Sequence, residues 1–452
     1  MVEWFTRQQV GGNELAIQST EIHRLDFSNP KINQTATEDK PIHDWYRFVL
    51  SFPPHLVREY ITRFGLNQDT VLLDPFCGTG TTLVEAKLNG IPSVGIERNP
   101  VAHFASETKV SWEVNTDELL NHARFIADTV IHELREEGID DIGMTWHGDS
   151  ERLETLPEEA EKLLLARSIS PLPLHKTLKL LEVIRRYDDP RLVRYEKLAL
   201  AKALVTTIGN LHFGPEVGVG KVKEDARVVF SWLGNVETMV NDINNKQAYR
   251  MVPSSVHLDD ARNATRVLEP HSVDAVITSP PYPNEKDYTR TTRLESVILG
   301  FLRDKESLRN LKKGLVRSNT RGVYKGDSDD VWMERFPEIQ RIADAIEQRR
   351  IELGKTSGFE KLYAKVTRLY FGGMARHLNE LKTILRPGAR LAYVVGDQAS
   401  YFRILIRTGQ LLADIAENLG YEVESIDLFR TRIATATKQQ MREEVVVLRW
   451  RG

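Results

Sequence analysis

Between residues 41 and 110 the apolar positions run in the order helix, strand, turn, helix, strand. After HDWYRFVLSF, Pro53-Pro54 set a turn, and Leu56, Tyr60 and Ile61 then fall on one face of a predicted helix. TVLLD (70–74) is a short apolar run that ends in Asp and enters glycines, which predicts a buried parallel strand. TTLVEAKLNG follows as a helix stopped by Gly90, and PSVGIE (92–97) predicts a second strand. The rhythm resumes near residue 255. SSVHLDD and VDAVITS predict strands three and four, and RLAYVVGD (390–397) strand five. The helix before strand five, YFGGMARHLNELKTILRPG, is expected to end at Pro387-Gly388. Ile404, Thr408, Leu411, Leu412, Ile415 and Leu419 sit at helical spacing, and YEVESIDLF and EEVVVLRW predict a final antiparallel pair at the sheet edge. Strands alternating with helices make an α/β chain with a doubly wound, Rossmann-like sheet.

Two stretches interrupt this pattern. Residues 111–250 are mostly helical in pattern, with one Gly-rich bend, GNLHFGPEVGVG (209–220), and residues 301–360 are shorter and strongly charged. The predicted organisation is therefore an N-terminal arm (1–40), a catalytic core (41–110 and 251–452) with a basic insertion (301–360), and a helical insertion (111–250) that is the first candidate for target recognition. At 452 residues the chain is long enough for a core with such insertions. No apolar run reaches the ~20 residues of a membrane span, and MVEWFTRQQVGGNELAIQ has no leader-like apolar centre, so a cytoplasmic protein is expected. The lone Cys77 excludes an internal disulfide and reads as a small buried residue. A net charge of −3 leaves any nucleic-acid contact to a local basic patch.

Chemistry concentrates at two strand ends. DPFCGTGTT (74–82) lies at the carboxyl end of strand one, where Gly78 and Gly80 permit a tight turn and close approach to a ligand. Glu97 ends strand two, placed to accept hydrogen bonds from ribose hydroxyls, and Asp260 in HLDDAR is placed to accept from an adenine amino group. Leu83 stands where a dinucleotide fingerprint needs its third glycine, which disfavours nicotinamide chemistry. GPEVGVGKV (214–222) fails as a phosphate loop, because its spacing is too long and Val222 replaces the required Ser or Thr.

The second site is ITSPPYPNEKDY (277–288), after strand four. A planar aromatic amine delocalises its lone pair into the ring and is a poor nucleophile. Acceptors on its two N–H bonds help it rehybridise toward an electrophilic methyl group. The Ser279 hydroxyl and Pro280 carbonyl supply such acceptors, Pro280-Pro281 stiffen the loop, and Tyr282 offers a stacking face.

DPFCGTGTT together with ITSPPY resembles the amino-methyltransferase family of DNA, whose members make N4-methylcytosine or N6-methyladenine. The resemblance covers about 41–110, 251–300 and 361–452. It implies a seven-stranded methyltransferase sheet, S-adenosyl-L-methionine as donor, and double-stranded DNA with a flipped target base as substrate. It assigns Phe52, Pro54, Asp74, Phe76, Gly78, Thr79, Gly80, Thr81, Glu97, Asn99, Asp260 and Ala261 to the donor site. Ser279, Pro280, Pro281 and Tyr282 become the catalytic tetrapeptide. Serine at the first of these positions goes with cytosine-N4 enzymes in the family, and aspartate or asparagine with adenine-N6 enzymes. The donor loop precedes the catalytic loop here, a permuted order compared with many members.

The candidate DNA contacts are Arg290 and Arg293, just past the catalytic loop, and Arg309, Lys312, Lys313, Arg317 and Arg321 in the basic insertion; a solvated charged helix has the same composition. The loop 429–442 is basic as well. Cys and His show no metal-ligand spacing, and no metal is needed. No nuclease-like carboxylate cluster is present, so the expected role is that of a restriction–modification or phage-defence modification enzyme whose restriction endonuclease, where there is one, is a separate chain. Adenine-N6 methylation, RNA guanine-N2 methylation and a non-catalytic nucleic-acid-binding protein on the same scaffold remain as alternatives.

Overall fold

The computed structural model describes residues 36–47, 51–142, 148, 150–214, 216–433 and 440–452. Most of the predicted 1–40 arm therefore lies outside the described residues. Seven strands form one sheet: β1 (Leu72–Asp74), β2 (Ser93–Ile96), β3 (Ser254–His257), β4 (Val273–Thr278), β5 (Leu385–Gly396), β6 (Glu422–Ile433) and β7 (Gln440–Arg449). Their order is β3-β2-β1-β4-β5-β7-β6. β1 to β5 pair in parallel, and β7 inserts antiparallel between β5 and β6. The fold is thus the expected α/β Rossmann-like sheet of seven strands. The predicted final antiparallel pair is present, with β6 rather than the last strand at the edge.

Strand order reverses at β1, which pairs with β2 on one side and β4 on the other. Ligands of open α/β sheets bind outside the strand ends at such a switch point. The helix α1 (Pro54–Phe64) begins with Pro at its first turn and ends on Gly65 at φ 66°, where the amide bonds back to Ile61 and Thr62 carbonyls. α2 (Thr81–Leu88) and α3 (Pro100–Val110) follow β1 and β2.

Within 111–250, α4 (Thr116–Glu136), α5 (Pro171–Arg186), α6 (Val193–Ala203) and α7 (Val228–Asn245) share one apolar cluster with Leu83 and Val84 of α2 and with Ala105 and Val110 of α3. Segment 36–47 closes this cluster, with Asp242 accepting from Ile42 N at 2.9 Å and from Trp45 Nε1 at 2.8 Å. The helices are continuous with the layer on the sheet. The Gly-rich bend 209–220 differs from expectation: Leu211–Phe213 and Val217–Val219 pair as a small antiparallel hairpin, a short two-residue period that glycines obscure in the sequence.

The segment 301–360 is anchored too. It carries α8 (Lys305–Lys313) and α9 (Pro337–Glu352), and Val316, Met333, Ile339, Ala343 and Ile346 join the cluster formed by β4, β5 and α10 (Tyr363–Ile384). Two glycines inside α10 explain how. A Cβ on Gly372 would meet the Asp329 carbonyl at 1.8 Å, and one on Gly373 would meet Val316 at 3.3 Å. Paired glycines inside a helix lower its intrinsic stability, and here they let a crossing backbone approach. α10 ends at Ile384, before Pro387-Gly388, which lie in an irregular start to β5 where Leu385 pairs with Val273 and Arg390 with Ala275. α11 (Thr408–Asn418) takes in Leu411, Leu412 and Ile415 but not Ile404, which precedes it. No helix among the described residues is long and apolar enough to cross a membrane.

Candidate active site

Because β1 and β4 are parallel neighbours, with Leu72 opposite Ala275, their carboxyl ends deliver the loops 74–82 and 279–282 to the same edge of the sheet. Two hydrogen bonds tie the loops together. Thr278 Oγ1 donates to Asp74 Oδ1 at 2.6 Å, and Thr82 Oγ1 donates to the Ile277 carbonyl at 3.2 Å. Asp74 also accepts from Phe76 N at 3.1 Å, and burial pushes its carboxyl up to about 6. It does not line the cleft.

The two loops open onto a single cavity of about 720 Å³. It gathers Phe52, Phe76, Gly78, Thr79, Thr81, Glu97, Asn99, Asp260, Ala261, Ser279, Pro280, Pro281 and Tyr282. Three residues assigned to the donor site from sequence stand behind it. Pro54 begins α1 and Asp74 ties the loops. Gly80, at φ 85°, lets the turn press on α3, since a Cβ there would lie 2.9 Å from Ser106 Cβ.

On the donor-loop side, Glu97 accepts from Gly78 N at 2.8 Å and Asn99 N at 2.7 Å. Burial raises its carboxyl to about 7 although both amides favour its charged form. Asn99 caps α3 through Val101 N at 3.3 Å and donates to Thr292 Oγ1 at 3.1 Å. The Asp260 carboxylate is already engaged by its neighbour: Arg262 Nε lies 2.9 and 3.1 Å from its two oxygens and Nη2 lies 2.6 Å from Oδ2. Arg262 N also donates to Oδ1 at 3.0 Å, and Asp260 lines the cavity beside Asp259. The Thr79 hydroxyl is buried without a hydrogen-bond partner among the described residues. The buried Cys77 thiol, pushed up by burial, lies 3.7 Å from Ser106 Oγ, as a packing residue would.

Sequence reasoning missed two supports of this wall. Lys109, fully buried, donates to the Thr79 carbonyl at 3.0 Å and the His43 carbonyl at 2.9 Å, and burial lowers its ammonium to about 7. His377, lowered to about 4 by burial, bridges the Ala261 carbonyl (2.9 Å) and Tyr393 Oη (2.7 Å), with its ring edge-to-face on Phe76. Neither has a sequence signal, since each sits on an ordinary amphipathic helix.

On the other side, Tyr282 N donates to Tyr288 Oη at 3.3 Å, and burial pushes both phenols up, Tyr288 to about 12. A strap, residues 314–322, supplies the facing wall through Gly314, Leu315, Val316, Arg317, Ser318, Asn319 and Gly322. The strap is bound to the loop after the catalytic tetrapeptide: Glu285 accepts from Thr320 N at 2.8 Å and Thr320 Oγ1 at 2.9 Å, and Asn319 donates to the Lys286 carbonyl at 3.0 Å.

The basic candidates divide. Arg317 is 5 % exposed; it pairs with both oxygens of Asp327 at 2.8 Å and donates to the Lys312 and Lys313 carbonyls at the end of α8. Arg293 donates to the Thr289 carbonyl (3.1 Å), Thr289 Oγ1 (3.0 Å) and the Leu163 carbonyl (3.2 Å). Both are committed internally. Lys312 lines the cavity but pairs with Asp287 at 2.7 Å. Arg290 is partly buried and outside the cavity lining. Arg309, Lys313 and Arg321 are exposed. Of the basic loop 429–442, residues 434–439 lie outside the described residues. Among the described residues no group of His, Cys, Asp and Glu is arranged to hold a metal ion.

A family model described as DNA methylase matches residues 12–107. Type II methyltransferase M.BsoBI of Geobacillus stearothermophilus is 28% identical over 96% of this chain and 90% of its own length. Type II methyltransferase M.AvaI of Nostoc sp. is 24% identical over 91% of this chain and 86% of its own. Type II methyltransferase M.MjaII of Methanocaldococcus jannaschii is 37% identical over a shorter stretch, 16% of this chain and 13% of its own. With this sheet, these loops meeting at its switch point and relatives aligned along nearly the whole chain, the protein is an S-adenosylmethionine-dependent methyltransferase similar to the amino-type enzymes that modify DNA.

Proposed function

We propose that this chain methylates the exocyclic N4 amine of cytosine in a specific duplex DNA sequence, on a base swung out of the helix, as the modification partner of a separate restriction endonuclease. The observation that carries the reading is the single cavity holding Ser279-Pro280-Pro281-Tyr282 alongside the 76–81 turn and Glu97. That the long relatives are Type II methyltransferases supports the restriction–modification role.

The donor side fits S-adenosylmethionine chemically. Glu97 offers a carboxylate for ribose hydroxyls, Asp260 and Asp259 offer acceptors for an adenine amino group, and Thr79 brings an unpartnered hydroxyl. Phe52 and Phe76 supply apolar surface for the rest. Bound there, the donor supplies an electrophilic methyl group. The protein's part is positioning. Ser279 Oγ and the Pro280 carbonyl accept the two amine hydrogens and turn the lone pair out of conjugation. Tyr282 supports the ring face. The paired prolines hold the carbonyl direction fixed, so alignment supplies most of the rate and no strong base is needed. Exposed Arg321 lies in the strap, Arg309 and Lys313 precede it along the chain, and all three are assigned to phosphate contact.

Expression in a methylation-deficient host, followed by nucleoside mass spectrometry and mapping of the modified positions, tests the proposal. N4-methylcytosine at one short recurring sequence is the expected result. N6-methyladenine, or methyl transfer to RNA alone, overturns it.

A further inference from the structure

The loop Ser279–Tyr282 handles an amine that cytosine and adenine share, so discrimination between them needs a group aimed at a different part of the base. Arg430 on β6 and Glu443 on β7 face each other across the antiparallel pair. Arg430 Nη2 donates to Glu443 Oε1 at 2.8 Å and Nε donates to Oε2 at 2.5 Å. On an open sheet face this would be a routine cross-strand ion pair of small consequence. Here both residues line the cavity, as do Phe429 and Tyr282. Gly396 fixes how near they come: a Cβ there would lie 3.2 Å from Tyr282 Cε2 and 3.3 Å from Glu443 Cγ, so ring and carboxylate flank the same point of β5. Glu443 occupies Nε and one hydrogen of Nη2, while Nη1 makes no hydrogen bond among the described residues. A guanidinium carries five donors in a rigid fork, so donors remain for a ligand.

We infer that Arg430, oriented by Glu443, reads the ring-carbonyl edge of a pyrimidine held by its amine at Ser279 and Pro280. This rests on the cytosine reading above and gives it a specificity-determining residue. Beyond its amine, cytosine presents two acceptors along one edge, the ring N3 and the O2 carbonyl. Adenine presents the ring N1 and then a C–H. Arg430 gains charge-assisted hydrogen bonds from the first edge and faces an unpaired, desolvated position against the second. Polar pockets discriminate strongly through that asymmetry. Glu443 is a positioning residue, which holds the fork in the plane of the base and balances its charge.

The test compares methyl transfer to a duplex carrying the mapped site with transfer to the same duplex bearing 2-thiocytosine at the target, whose 2-position is a weak acceptor. Arg430→Met is expected to lower kcat/KM on the natural duplex about 10- to 100-fold, with donor Kd unchanged. Arg430→Lys should recover part of the loss. The sulfur substitution should slow the wild-type enzyme about tenfold and leave Arg430→Met indifferent. Equal sensitivity of both enzymes to sulfur, or wild-type kcat/KM in Arg430→Met, overturns the inference. If that variant does not fold, the wild-type enzyme decides alone: an undiminished rate on the 2-thiocytosine duplex sinks the assignment. N6-methyladenine in the mapped DNA removes the cytosine reading itself, an outcome distinct from N4-methylcytosine made without help from Arg430.

Discussion

The two walls of the cleft are held by different forces. The wall that carries the 74–82 turn and the catalytic tetrapeptide hangs from parallel strands whose backbone hydrogen bonds fix its position, with Asp74–Thr278 as a tie. The facing strap, 314–322, has one short turn, Thr320–Gly322, and a single backbone bond to the neighbouring loop, from Glu285 N to the Ser318 carbonyl at 3.3 Å; most of its other ties are side chains. Arg317 grips Asp327, Glu285 grips Thr320, and Tyr401 Oη donates to the Ser318 carbonyl at 3.2 Å. Gly314 lies so close to Arg98 that a Cβ would sit 2.0 Å from its Nε. A wall made of ladder hydrogen bonds tolerates loss of one side chain. A wall made of side-chain clamps loosens when one is removed, which makes the strap the element more easily moved on DNA binding.

Arg317→Met should separate the two walls most strongly. It strips Asp327 of its buried partner and removes a side-chain donor from the Lys312, Lys313 and Leu315 carbonyls, at a cost of about 3–5 kcal/mol. Hydrogen exchange should rise across 314–322 and DNA methylation should fall, while donor Kd changes less; uniform destabilisation of both walls would contradict the clamp. Next in size, Ser279→Ala is expected to lower kcat about 10²–10³-fold, as loss of one preorganised transition-state hydrogen bond does, with donor affinity intact by calorimetry. A kcat within twofold of wild type would remove Ser279 from the chemistry.

The donor wall should respond to pH through Glu97. Glu97, raised to about 7, binds a proton in the folded chain where an unfolded carboxyl at 4.5 has lost it, so this group costs stability as pH climbs from 4.5 through about 7. Ribose hydroxyls donate to the ionised form. Donor binding should therefore tighten as pH rises through about 7 and weaken below it, by up to about tenfold per unit. Asp74, raised to about 6, titrates nearby, and Glu97→Gln distinguishes them by flattening the profile and weakening binding above pH 7. The smallest effects belong to the exposed cations. Neutralising Arg309, Lys313 or Arg321 singly should weaken binding to every DNA sequence alike and reduce the slope of log K against log salt by about one, with Tm unchanged. A variant that altered sequence preference instead would place its residue on base edges.

The strands around β1, the two loops at strand ends and the sheet class are legible in the residues alone, because each depends on short-range pattern. Apolar runs predict buried strands, glycines after a strand predict the turn, and Ser-Pro-Pro-Tyr is contiguous. The presence of Glu97 at the end of β2 was legible for the same reason. Which residues meet across large separations is set by the folded chain. Arg317 and Arg309 look alike in a charged stretch, yet one is buried on Asp327 and the other faces solvent. Asp260 looks like a free acceptor until Arg262 is seen folded onto it. Lys109, His377, Arg430 and Glu443 sit in unremarkable helix and strand patterns and reach the cleft only because the chain folds them there. Local periodicity encodes which face of an element is apolar. It carries no record of which distant carboxylate or carbonyl a buried cation will find, and that pairing sets whether a charge serves the fold or the substrate.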